Sequence, residues 1–186
     1  GIDGLRGAVP GVAGEVRVGY GPKGGDLTFT EWAAVEPGKD YTRQFLLEGL
    51  TPGTDYVVRV ESRSPSGEAG ETVEGAFGTA PSPDVEAPIR FVATTCTDYP
   101  DLDVPGQGFR IYDAMLTLEP DFFVHAGDIL YYDDLAKSID LANWHWQQMY
   151  GLPTNVRFHR VVPAYFEKDD HDTWANDCWP GKDLES

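Results

Sequence analysis

The chain has 186 residues, with 31 acidic side chains against 14 basic ones and a formal net charge of −17. That field repels DNA, RNA and anionic membranes at long range, and no basic stripe interrupts it, so a nucleic-acid or membrane-surface function is excluded by charge. Hydrophobic residues make up 41% and aromatics 12%, enough for a buried core, while no apolar stretch approaches the ~18 residues of a membrane span.

In chain order, EVRVGYG, DLTFTEW, TRQFLLEGL and DYVVRVESR alternate apolar and polar residues between Gly/Pro clusters such as GPKGG, EPGK and PSGEAGE. This pattern predicts antiparallel strands joined by turns, at the spacing of a β-sandwich. The opening GIDGLRGAVPG has little strand character. In LEGLTPGTDYVVRVES, Tyr56 stands at the mouth of a strand after the Pro52–Gly53 corner. There its hydroxyl can fold back onto the corner backbone. The stretch resembles a fibronectin type III module, and residues 1–80 are expected to form an all-β, fibronectin/Ig-like sandwich. The proline- and acid-rich APSPDVEAP reads as a linker, 81–88, into a second domain spanning 89–186.

The rhythm then changes. IRFVATT (89–95), DFFVHAGD (121–128) and VVPAYF (161–166) read as strands, the first two as buried runs and the third as an edge or irregular one because of Pro163. GFRIYDAMLTLE (108–119) and SIDLANWHWQQMYG (138–151) read as helices, the second with a glycine at its end. A βαβαβ order predicts an α/β domain with a parallel sheet.

Ligands of such sheets bind beyond the carboxyl ends of the strands. The three strand ends run into CTDYPD, with Cys96 and Asp98; HAGDILYYDD, with Asp128, Tyr131, Tyr132, Asp133 and Asp134; and KDDHDTWAND, with Asp170, His171 and Asp172. Each alone has an ordinary structural explanation, but all three carry metal-competent side chains. There is no CxxC, no zinc-spaced histidine pair, no P-loop and no GxSxG. His125 reads as a satisfied strand residue, and His145 and His159 receive no role. Cys96 and Cys178 are compatible with a disulfide, with two free thiols, or with one serving as a ligand.

GDILY resembles the GD-x-x-Y motif of the calcineurin-like metallophosphoesterases. DDHD resembles the block that replaces GNH in the alkaline phosphatase D family, and TTCTDYP resembles that family's cysteine after the first strand. An N-terminal fibronectin-like domain fits the same family. The resemblance implies a phosphoric ester hydrolase acting on small phosphate esters through a dinuclear site and a metal-bound hydroxide. It implies Cys96, Asp128, Tyr131 and Asp170 as metal ligands, with Asp128 bridging. Its metals would be ferric iron with calcium or another divalent ion such as zinc, manganese or magnesium. His171 would act beside the phosphate, oriented by Asp172, with Asp98, Asn176 and Asp177 in supporting positions. A periplasmic, cell-surface or extracellular location is expected. The family's catalytic domain continues well beyond its third motif, so the chain is expected to be the N-terminal part of that domain, with open metal sites, half the core uncovered, weak metal binding and little activity. A purple acid phosphatase-like or nucleotide phosphodiesterase relative is the nearest alternative, and a non-catalytic, calcium-binding adhesion module the more distant one.

Overall fold

The structure, a computed structural model, describes residues 5–131, 133, 136–173 and 176–178. It divides into two compact units, one of Pro10–Ile89 with Arg160–Pro163, the other built around Arg90–His159 and the stretch from Ala164 onward. Residues 5–9 belong to the second unit, not to the β-rich one. There Gln148 Nε2 donates to Gly7 O (2.7 Å) and Trp144 Nε1 to Arg6 O (3.3 Å).

The β-rich unit is one antiparallel sheet. β1 (Gly14–Pro22) pairs along one edge with the short β2 (Thr28–Phe29) and β3 (Ala33–Val35), and along the other with β4 (Asp55–Arg63), which pairs in turn with β5 (Ala69–Gly78). The expected two-sheet sandwich is therefore corrected: among the described residues every strand of this unit lies in a single sheet. TRQFLLEGL forms no strand, and Leu46 is 83% exposed. A run that buries no face gains nothing from extension, and period-2 patterning alone cannot supply a ladder partner. Directly opposed residues stitch β1 to β4. Arg17 bonds Glu61 (2.7 Å) and Arg63 bonds Glu15 (2.6 Å), each at matched register, while both guanidinium groups lie over the Trp32 ring.

The predicted corner is present. Tyr56 is buried, its ring stacks on Phe77, and its hydroxyl accepts the Thr51 N–H at 2.8 Å.

The second unit holds a parallel sheet in the order β6 (Phe91–Thr94), β7 (Phe122–Ala126), β8 (Ala164–Glu167). Pro163 precedes the edge strand, where a missing N–H costs no ladder bond. The crossovers carry α1 (Arg110–Leu116), then α2 (Ile139–Tyr150), capped by Ser138, whose hydroxyl accepts the Leu141 N–H. A further short helix, α3 (Pro153–His159), was not anticipated. Seven residues are too few for a periodicity, but Pro153 suits a first helical turn, and Phe158 is fully buried.

All three helices contribute to one aromatic core against Phe123, His125 and Phe166. It contains Tyr112, Tyr150, Phe158 and His159, with ring centroids mostly 5–6 Å apart. The other sheet face shows a stack of Phe91 on Phe122 with Tyr165 edge-on, and Phe91 and Tyr165 are 58% and 64% exposed. No described helix is long and apolar enough to cross a membrane.

Two predictions follow from this packing. Tyr56→Phe leaves the Thr51 amide unpaired and should cost about 1–2 kcal/mol in urea unfolding, with an unchanged m-value. Burial lowers His159 from 6.5 to about 4, with His125 contributing. The unfolded chain thus binds a proton that the folded one refuses, and stability present above pH 6.5 should drain away as pH falls towards 4. His159→Phe should flatten that slope in unfolding curves taken at stepped pH.

Candidate metal centre

Three loops leave the carboxyl ends of β6, β7 and β8, and backbone bonds tie the first two together: Cys96 N–H donates to Gly127 O and Thr97 N–H to Asp128 O. The first loop then turns sharply. Cys96, Asp128 and Tyr131, three of the expected ligands, all have left-handed backbones with φ of 54°, 52° and 53°, as does Asp177 at 57°. Non-glycine residues rarely adopt this region, and its clustering at one site marks stored strain of the kind found where function dictates geometry. Between β7 and these turns lies Gly127, φ +99°. A Cβ there would sit 2.5 Å from that of Asp169, so only glycine lets the β7 and β8 loops approach so closely.

Asp128 is buried. Its Oδ2 accepts from the Cys96 thiol at 3.3 Å, and its Oδ1 is buried without a hydrogen-bond partner. Carboxylate and ring atoms of Asp128, Asp170 and His171 lie within 4.8 Å of one another. The Tyr131 ring packs 4.5 Å from that of His171. Burial, a hydrogen bond to Cys96 and the charges of Asp128, Cys96 and Asp98 push the Tyr131 phenol well above its usual range. Such a site discourages a further negative charge unless a cation enters, and a cation inverts that balance. A carboxylate with an orphaned oxygen beside a phenol offers hard oxygen donors suited to a highly charged metal ion, and the neighbouring thiol and imidazole add softer donors that a transition metal accepts. The residues present therefore fit the implied metals.

The third loop is a 3-10 turn, Asp170–Asp172, opened by a capping box in which the Asp169 carboxylate accepts the Asp172 N–H and the Asp172 carboxylate accepts the Asp169 N–H, while Asp169 also accepts the Asp170 N–H at 2.9 Å. Asp170 points an oxygen to the Asp177 N–H, the main reason its carboxyl is held below the usual range. Asn176 bonds the Asp177 carboxylate, and both side chains stay exposed. Asp98 lies near enough to Tyr131 to act on it by charge.

The expectation that Asp172 orients the imidazole is corrected. His171 Nδ1 is bonded at 2.7 Å to Asp133, whereas Asp172, only 1% exposed, accepts backbone N–H groups from Ile129 (2.6 Å), Leu130 (2.9 Å) and Asp169 (3.3 Å). The physical reason is reach. A short side chain adjacent to His171 turns inward along the chain, while a carboxylate on the facing loop meets the ring edge-on. Asp133 stood in the sequence as one acid among several, and only the approach of two loops singles it out. Tyr132 and Asp134 lie outside the described residues. Cys96 and Cys178 are both free thiols, and Cys178 contacts Thr173 instead. His125 bonds Thr97 through Nε2 at 3.2 Å but leaves Nδ1 buried and unpartnered, so it is only half satisfied.

Burial of His171 opposes its protonation, but the Asp133 bond and the charges of Asp133, Asp128 and Asp170 outweigh it and raise the imidazole above its usual value. The stabilisation is present below the ordinary histidine pKa and is lost as pH rises through the raised one. In the metal-free chain, NMR titration should place His171 above 6.5, and Asp133→Asn should bring it down towards that value.

Comparison with known proteins completes the description. No family model matches the chain, and no curated protein matches it. Two solved structures share its fold. PhoD superimposes with a TM-score of 0.67 at 19% identity, covering 91% of this chain and 34% of its own. The purple acid phosphatase PPD1 isolated from yellow lupin (Lupinus luteus) seeds gives 0.62 at 18% identity, covering 91% and 32%. The chain thus spans about a third of the length of either structure.

Proposed function

We propose that this chain carries the N-terminal share of a metal-dependent phosphoesterase of the calcineurin-like kind, of the alkaline phosphatase D type. The observation that carries this reading is the convergence of Asp128, Asp170 and His171 within 4.8 Å, around a buried Asp128 oxygen that has no hydrogen-bond partner among the described residues. The fold shared with PhoD and a purple acid phosphatase supports it. The cysteine at position 96 favours the first over the second, which resembles relatives with an aspartate there.

In this reading Asp128, Cys96 and Tyr131 would hold a ferric ion, and Asp128 and Asp170 a divalent partner such as calcium. When bound, the ions supply the concentrated positive charge that phosphoryl transfer requires. They also explain how a strongly acidic protein would accept an anionic substrate. The chain's own residues do the rest. Asp133 holds His171 by Nδ1, which leaves Nε2 to present a proton to the phosphate or its leaving oxygen. Gly127 lets the flanking loops close on the site. The described residues supply ligands on one side of such a centre, so the chain by itself is proposed to bind metal weakly and to turn over little. A catalytic share from residue 89, reached through a linker, and a periplasmic or extracellular setting belong to the same proposal.

Asp128→Asn in the longest natural form of the protein should reduce aryl phosphate hydrolysis to background while the far-ultraviolet circular dichroism is preserved. Retained hydrolysis would end the assignment. Iron loading should produce a visible tyrosinate band that Tyr131→Phe removes. A protein that takes up calcium but never a transition metal would instead be a calcium-binding adhesion module.

A further inference from the structure

We infer that Asp172 is a positioning residue that sets the geometry of the metal centre by clamping the backbone between Asp128 and Tyr131. The inference rests on the metallophosphoesterase reading for its metal, but the clamp itself is a property of the chain.

Asp172 is 1% exposed, and such a carboxylate persists in the interior only when its lone pairs are filled. Oδ1 takes the amides of Ile129 and Leu130, and Oδ2 takes that of Asp169. Hydrogen bonds to an ionised acceptor are stronger than neutral ones, and three of them offset a single buried charge. The two clamped amides are the only residues between Asp128 and Tyr131. Both flanking residues are in the left-handed region, so neither holds its conformation by local preference. Asp172 adjoins His171 and Asp170 in the chain. One carboxylate therefore fixes two candidate ligands of the β7 loop to the third ligand and the imidazole of the β8 loop, with no cation required for the frame. Outer partners of this kind govern how tightly ligands grip a metal.

Asp172→Asn tests this. The amide oxygen can still accept from Ile129 and Leu130, but its NH2 then faces the Asp169 N–H, donor against donor. The metal-free reading uses the Tyr131 ring, 4.5 Å from His171, whose ring current shifts the imidazole protons. In the variant those resonances should move, with the circular dichroism spectrum unchanged. Iron affinity, followed by the tyrosinate band, should fall about tenfold. Unmoved resonances with undiminished affinity would overturn the inference while leaving the phosphoesterase reading intact. Absence of iron from the longest natural form of the protein would sink that reading, and the resonances alone would then decide the clamp. Should the variant not fold, the wild-type amides answer: Ile129 and Leu130 N–H should exchange with solvent only on global unfolding, and fast exchange from the folded chain would refute the clamp.

Discussion

Parallel pairing in register is the constraint on which the second unit depends. Thr94, His125 and Phe166 stand side by side across β6, β7 and β8, so the three strands end at nearly one level. Cys96 follows two residues after the first, Asp128 three after the second and Asp170 four after the third. A parallel sheet requires crossovers, and the helices of those crossovers bury Phe123 and His125 and pack against Phe166. The loops at the carboxyl ends converge above that face, with Ile129 and Leu130 of the β7 loop themselves buried. Slipping β7 by one residue would exchange the buried His125 with Val124 or Ala126 and scatter the site.

Convergence creates an electrostatic problem, and the local structure is arranged around it. Four carboxylates, Asp98, Asp128, Asp133 and Asp170, gather near one phenol and one imidazole. Three responses are visible. His171 takes up positive character against Asp133. Tyr131 is held protonated. Asp172, the most buried acid here, is withdrawn from the cluster and spent on backbone amides. What is left unbalanced is a pair of buried oxygens, Asp128 Oδ1 and Asp133 Oδ1, neither of which has a hydrogen-bond partner among the described residues. A cation relieves all of these at once, which is why the donor set and the acidic surplus point the same way.

Much of this was legible in the sequence. The buried strands FVAT and FFVHA, the two longer helices and the corner tyrosine each announce themselves through local chemistry: apolar runs between turn residues, 3.6-residue spacing, a tyrosine after Pro-Gly. The polar residues after each strand could be read as one site because α/β topology fixes where strand ends lie. The second sheet of the β-rich unit was misjudged because alternation in TRQFLLEGL describes what a strand needs, not whether a partner is there. The helix Pro153–His159 escaped because its helicity comes from burying Phe158, a tertiary gain that seven residues cannot advertise.

The sequence by itself determined the kinds of side chain available and the strand ends at which they stand, because register and crossover topology follow from local patterns. Tertiary structure alone decided how the acids of the DDHD and YYDD stretches divide their work. Adjacent aspartates are chemically identical in sequence. Their roles separate only when Gly127 admits a second loop, so that Asp133 meets an imidazole, Asp172 meets two amides and Asp128 keeps one oxygen with no hydrogen-bond partner among the described residues.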